Sequence, residues 1–226
     1  MTWNIPNTLT VLRLLAAPGV AVMFLYFARP WADWFALVLF VGAAVTDWFD
    51  GYLARAWKQE SKFGAMLDPI ADKAMVVIAL CVITGLSSFG REVMDPWILL
   101  PATVILFREV FVSGLREFLG DTAGTLKVTK LAKWKTTAQM IAIAVLFAKG
   151  VFEHHALAVL YGLGPEMAEA VLAGEASDEH GLARTLGWMN ATWWAGVTLL
   201  WIAAALTLVT GWDYFRKSMP YLKDEG

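Results

Sequence analysis

The chain has 226 residues, of which 58% are hydrophobic, 12 are Trp and only 17% are charged, whereas an ordinary soluble domain carries about a quarter charged residues. This composition excludes a soluble globular domain and indicates a membrane protein, and the net charge of −2 implies no nucleic-acid partner. With one cysteine, Cys81, no disulfide can form within the chain.

Six apolar runs, at residues 8–28, 34–54, 69–90, 96–119, 134–152 and 189–211, each approach the ~20 residues that a spanning helix needs. No internal repeat, low-complexity segment or stretch long enough for a soluble domain is left over, so residues 1–226 read as one membrane-embedded, all-α domain. The first run follows MTWNIPN, which has no basic leader, and reads as a helix and not as a secretory signal. Cys81 lies inside the third run, where a buried apolar role is expected. Residues 150–187 form an outer-side loop insertion in this reading, with Glu166, Glu169, Glu175, Asp178 and Glu179 but no Lys between 164 and 187.

Lys and Arg set the orientation, because cytoplasmic flanks are enriched in them. With the N-terminus inside, the inner side collects Arg55, Lys58, Lys62, Arg116, Lys127, Lys130, Lys133, Lys135, Arg216, Lys217 and Lys223, against Arg29, Arg91, Lys149 and Arg184 outside. Both termini are then cytoplasmic. Trp31, Trp34, Trp97, Trp188, Trp193 and Trp194 fall at the outer interface, and Trp57, Trp134 and Trp212 at the inner one.

Within this frame the stretch DWFDGYLARAWKQESKFGAMLDPIADK stands out. Asp47 and Asp50 end the second span and Asp68 and Asp72 begin the third, so two antiparallel helices present acid pairs at i, i+3 and i, i+4 at one cytoplasmic depth. Asp68–Pro69 is either an N-cap with Pro in the first turn or a Pro inside a longer helix. Four carboxylates cannot all stay ionised there without positive charge. Two Mg²⁺ or Mn²⁺ suit an all-oxygen set, and no His lies nearby to favour Zn²⁺. His154, His155 and His180 are on the outer side, where adjacent helical residues point apart and a solvated or interfacial role is expected. Gly51 and Ala54 on the acid face, and Gly64 before the third span, leave room either for a ligand or for close packing.

The order Asp-x-x-Asp-Gly-x-x-Ala-Arg, eight residues, Gly-x-x-x-Asp-x-x-x-Asp is complete in Asp47, Asp50, Gly51, Ala54, Arg55, Gly64, Asp68 and Asp72. It resembles the signature of the CDP-alcohol phosphotransferase family. NIPNTLTVLR, FREVFVSGLREF and KWKTTAQM are similar to the bacterial phosphatidylglycerophosphate synthase branch, with Ala132 where relatives often have Gly.

The resemblance implies the CDP-alcohol phosphotransferase fold of six transmembrane helices, a homodimer in the cell (inner) membrane, and an active site at the cytoplasmic face. It further implies transfer of a phosphatidyl group from CDP-diacylglycerol to sn-glycerol 3-phosphate with release of CMP. On this pattern Asp47, Asp50 and Asp68 are metal ligands, and Asp72 is the general base and shares a metal. Gly51, Ala54 and Gly64 lie against the nucleotide, and Arg55 either meets phosphate or locks Asp50. Asn7 and Thr10 contact the CDP-diacylglycerol headgroup or cap the first helix.

For the acceptor, Arg108 and Arg116 in the fourth span lie about 80° apart around the helix and about 12 Å apart along it, so their side chains can converge on one phosphate. Lys133 and Lys135 are about 200° apart, so at least one faces elsewhere, and Lys135 shares its face with Gln139. For Arg116 and the two Lys the alternative is flanking charge or attraction to anionic lipid. Two other classes stay open: a divalent-cation transporter, disfavoured by acids at the helix ends and not the midplane, and a lipid-binding scaffold, which needs no acids in metal-binding order. Within the family, a cardiolipin, phosphatidylserine or inositol-phosphate type of acceptor is the alternative.

Overall fold

The structure is a computed structural model describing residues 4–57, 61–88, 92–120 and 130–222, with side chains described throughout except at residues 48, 50–55, 130 and 132. Among the described residues the α-helices are, in order, α1 (Ile5–Tyr26), α2 (Trp31–Ala56), α3 (Lys62–Ser87), α4 (Pro96–Leu119), α5 (Lys130–Leu163), α6 (Pro165–Ala173) and α7 (Leu182–Ser218), then a 3₁₀ turn at Met219–Tyr221. No strand occurs among the described residues. Ile5–Tyr26, Lys62–Ser87, Pro96–Leu119, Lys133–Leu163 and Leu182–Tyr221 are long and apolar enough to cross a membrane. α2, the remaining long helix at 26 residues, carries Asp33 near its start and Asp47 and Asp50 near its end.

Local chemistry explains several ends. Asn4 caps α1, its side chain accepting from the Asn7 N–H at 2.9 Å, and Pro6 occupies the first turn, where a missing N–H costs nothing. Asp95 caps α4 in the same way through the Trp97 N–H at 3.0 Å. Ser61 Oγ accepts from the Gly64 N–H at 3.0 Å and starts α3 seven residues ahead of Pro69, which therefore sits inside the helix. Asp68 is not an N-cap. Cys81, expected buried, is exposed on α3. On a spanning helix that face meets lipid, which is as apolar as a protein core and exerts no inward pull on a thiol.

Residues 150–187, expected as a loop insertion, are mostly helical: α5 continues to Leu163, α6 follows after Gly164, and α7 begins at Leu182. The cause is a small core of its own, in which Ala168, Val171 and Leu182 pack with Val159, Leu160, Leu163 and Leu186. Asp178 anchors it, accepting from the Leu182 and Ala183 N–H groups at 2.6 and 3.1 Å.

The chain divides into two compact units. The first comprises residues 1–83 and 143–196. Its core alternates large and small residues: Phe40 and Phe147 (ring centroids 6.0 Å apart) sit among Ala17, Ala36, Ala43, Ala71 and Ala79. Small residues let helix backbones approach where lipid supplies no hydrophobic drive. Asp33, 1% exposed, is gripped by both arms of Arg29 at 2.8 and 2.9 Å, and Arg29 also donates to the Gly150 carbonyl and to Glu153, each at 3.3 Å. Burial works against the Arg29 charge, but the Asp33 and Glu153 carboxylates outweigh it and hold the guanidinium above its ordinary pKa.

Gly150 permits this contact, since a Cβ there would lie 2.3 Å from Asp33 Oδ1. Gly150→Ala should cost about 1–3 kcal/mol, the range for overpacking, read as a lower unfolding midpoint in detergent. Gly162→Ala on the same helix meets nothing within 4 Å and should be neutral or stabilising. Equal midpoints for both variants would show that Gly150 is not needed for the ion pair.

The second unit comprises residues 84–142 and 197–226. Here Val112, Leu119 and Tyr214 form a cluster with Leu115, and Trp201 Nε1 donates to the Trp97 carbonyl at 3.1 Å.

Candidate active site

In the first unit α1 turns Pro6, Asn7, Thr10, Arg13, Ala17 and Val20 inward. Asn7, Thr10 and Arg13 recur every three residues and so share a helical face. Thr10 Oγ1 donates to Asp68 Oδ1 at 2.8 Å. Arg13 Nη1 donates to Asp72 Oδ1 at 2.7 Å and also to Asp47 Oδ1. The Arg13 side chain is 2% exposed, whereas those of Asp47 and Asp72 are 47% and 54% exposed. One buried cation thus joins carboxylates from two helices while leaving both open to a ligand.

Asn7 Oδ1 accepts from Ser61 Oγ at 2.7 Å, and a Cβ on Gly64 would lie 2.9 Å from that same Oδ1. Gly64 is therefore the point where the start of α3 meets α1. Asn4 is the cap of α1, so Asn7 and Thr10 are not; both face α3. Asp50, Gly51, Ala54 and Arg55 lie on the last turns of α2, and their side chains lie outside the described residues, as does Ala132.

Arg13, which contacts two of the motif acids, is a candidate site residue that sequence reasoning missed. The acids demand positive charge, for which the sequence offers metal ions or the nearby Arg55, Lys58, Lys62 and Lys73, yet an Arg in an apolar run of ~20 residues is itself costly without a partner. That cost, together with the shared face of Asn7, Thr10 and Arg13, was the available signal.

In the second unit Glu109 is the hub. Its Oε1 accepts from Lys135 Nζ at 2.5 Å and from Arg108 Nη1 at 3.1 Å. Lys135 is buried and Lys133 exposed, which separates the two lysines as their angular offset requires. Arg108 packs on α7, where a Cβ on Gly211 would lie 3.0 Å from Arg108 Cγ. Arg116 is exposed, with its guanidinium 5.4 Å from the Tyr214 ring centroid.

Among the described residues of this unit, the buried polar atoms Arg108 Nε, Gln139 Oε1, Thr207 Oγ1 and Tyr214 Oη have no hydrogen-bond partner. Buried polar atoms are nearly always paired, so three donors and an acceptor left open beside a cationic cluster suit a small, hydroxylated anion. Thr207 and Tyr214 were also missed. With Gly211 they fall at i, i+4 and i+7 on α7 and so share one face of the helix.

A sequence profile described as CDP-alcohol phosphatidyltransferase matches residues 3–174. The chain belongs to this family. Among similar proteins, one from Cereibacter sphaeroides is 68% identical over 226 residues, covering all of both chains. Relatives from Salmonella choleraesuis and Escherichia coli are each 41% identical over 148 residues, covering 65% of this chain and 78% of theirs. All three carry the name CDP-diacylglycerol–glycerol-3-phosphate 3-phosphatidyltransferase. In this CDP-alcohol phosphatidyltransferase the profile covers the acid hairpin, Arg108 and Lys135, and stops short of α7.

Among the described residues no three His, Cys, Asp or Glu side chains form a group that could hold a metal; Asp50, the fourth acid of the motif, is not among them. The acids present nevertheless fit divalent ions in kind. They supply oxygen only, and Asp47 and Asp72 already converge on one cationic nitrogen.

Proposed function

We propose that this chain is an enzyme that transfers the phosphatidyl group of CDP-diacylglycerol to sn-glycerol 3-phosphate, giving phosphatidylglycerol phosphate and CMP. The observation that carries this reading is the end-to-end match, 68% identical over 226 residues, to the Cereibacter sphaeroides protein named for that transfer. The full set of motif acids supports it. The reading includes α2 as a sixth span, cytoplasmic termini, a homodimer in the inner membrane and an acid hairpin at its cytoplasmic face; the distribution of Lys and Arg supports the orientation.

In the reaction the acceptor hydroxyl attacks the donor phosphorus, a new O–P bond forms, the bond to CMP breaks, and the hydroxyl proton must be taken up. Asp72 takes it: the carboxylate is half-exposed and anchored by Arg13, so it is both reachable and held in one orientation. Thr10 orients Asp68 in the same manner. Two Mg²⁺ or Mn²⁺, held by Asp47, Asp50, Asp68 and Asp72, supply charge stabilisation for the donor diphosphate and for the attacking and leaving oxygens when bound. Asn7, Thr10, Gly51, Ala54, Arg55 and Gly64 receive the CDP half of the donor.

Arg108 and Lys135, with Arg116, bind the acceptor phosphate, the Thr207 and Tyr214 hydroxyls are open to donate to its remaining oxygens, and Gln139 Oε1 is open to accept from a hydroxyl of the acceptor. Lys133, exposed, has the place of a flanking charge.

CMP release measured against a panel of acceptors tests the reading. Glycerol 3-phosphate should support turnover, whereas phosphatidylglycerol, serine and inositol phosphate should not. Arg108→Ala should raise the apparent KM for glycerol 3-phosphate by about 10–100-fold, the loss of one charge-assisted contact, with donor affinity kept and Lys133→Ala near normal. Turnover with a different acceptor in place of glycerol 3-phosphate would reassign the enzyme within its family. Normal acceptor kinetics in Arg108→Ala would move the phosphate site elsewhere.

A further inference from the structure

The first unit holds a concavity at the end remote from the Asp47–Asp72 hairpin. Trp34 and Asp47 are 13 residues apart on α2, or about 20 Å along the axis at 1.5 Å per residue. Around Trp34, the residues before α2, the middle of α5 and the start of α7 enclose a cavity of about 620 Å³, a size that takes a small ligand or a lipid headgroup. Its walls include Trp34, Phe152, Trp188, His154, His155 and Arg184. Both histidines line it, contrary to the expectation that adjacent residues point apart: successive helical residues differ by only about 100°, and the cavity wraps that far round α5.

The charges nearby are unevenly satisfied. Asp33 is held by both arms of Arg29, Glu153 accepts from Lys149 at 2.5 Å and from Arg29 at 3.3 Å, and Asp178 caps α7. Arg184, in contrast, makes no ion pair among the described residues. The backbone makes space for its guanidinium: Gly181 has φ +67°, and a Cβ there would lie 3.1 Å from Arg184 Nη2. The cavity therefore offers an uncommitted guanidinium and two imidazoles, with no uncommitted carboxylate in its wall. Phe152 and Trp188 stack at 6.3 Å, and both Trp34 and Trp188 are about half exposed, an amphipathic rim of the kind found at membrane interfaces.

We propose that this cavity binds the phosphate headgroup of an anionic phospholipid, with Arg184 on the phosphate, His154 and His155 as further hydrogen-bond donors, and the aromatic wall against the glycerol and upper acyl chain. The largely apolar lining favours a lipid over a free ion, and the lack of a free acid disfavours a headgroup bearing an ammonium. The site is separate from the acid hairpin and does not depend on the reaction assigned to it.

Native mass spectrometry of the full-length chain, titrated with phosphatidic acid, phosphatidylcholine or inorganic phosphate, tests this. Phosphatidic acid should be retained by the wild-type chain, and Arg184→Gln should weaken that retention at least about tenfold, as expected for losing a charge-assisted contact. CMP release, measured in parallel, should stay at the wild-type rate and so report an intact fold. Phe152→Ala, which keeps the charge but opens the wall, should weaken retention to a lesser degree. Unchanged retention in Arg184→Gln, equal retention of phosphatidylcholine, or displacement by inorganic phosphate at similar concentration would each overturn the proposal.

Discussion

Asp72→Asn should lower the maximal rate of CMP release by about 10²–10⁴-fold, the usual contribution of a positioned general base, while Mg²⁺-dependent binding of CDP-diacylglycerol changes little. Asn keeps the volume and can still accept a hydrogen bond from Arg13 at the position now held by Oδ1, so the helix contact survives while the basicity is lost. The comparison that gives the test its force is Asp47→Asn. Both carboxylates contact the same Arg13 nitrogen and both are half-exposed, so local geometry does not distinguish them. If Asp72 is the base and Asp47 a metal ligand, the second substitution should lower the rate and, in addition, reduce donor binding and raise the Mg²⁺ requirement. Matching losses of donor affinity in both variants would make Asp72 chiefly a ligand, leaving the proton to another acceptor.

The long apolar runs and the eight-position acid motif were legible because each rests on a local rule: ~20 apolar residues to cross a bilayer, and carboxylates recurring at helical spacing. What was not legible depended on tertiary partners. Gly150, beside Lys149 and ahead of Glu153 and two His, reads as a helix end, yet α5 runs on because Arg29 and Lys149 neutralise Glu153 and because α6 and α7 cover the apolar side of the next turns. The 61–68 segment reads as a loop for its Ser, Lys and Gly, yet Ser61 caps it into α3. The sharing of the two lysines was half legible: their spacing demanded that they part, but only Glu109 decides that Lys135 is the buried one. Arg13 went unread for a different reason, since it lies thirty-four residues from Asp47 and fifty-nine from Asp72, and no periodicity links them.

Arg13 also yields the sharpest test of how the acids are neutralised. Its buried guanidinium and the proposed divalent ions act on the same carboxylates, so each should reduce the need for the other. Arg13→Met keeps the aliphatic stem and removes the charge, leaving Asp47 and Asp72 facing one another with nothing between. Breaking a fully buried pair costs about 3–5 kcal/mol, but here the two acids are half-exposed and water recovers part of that loss. The expected destabilisation in chelator is therefore smaller, about 1–3 kcal/mol, seen as a lower unfolding midpoint. Arg13→Lys should fall between, since an ammonium keeps the charge but is too short to reach both acids in the same way. The decisive measurement is the rise in midpoint on adding Mg²⁺ or Mn²⁺. Arg13→Met should gain clearly more from the ion than the wild-type chain does, because the ion then supplies all of the missing counter-charge. Adding Asp68→Asn to Arg13→Met should reduce this metal-dependent gain, as one of the oxygen donors is lost. If the wild-type and Arg13→Met chains gained equally, the ion and the guanidinium would be acting on different groups, and metal ligation by Asp47 and Asp72 would have to be abandoned.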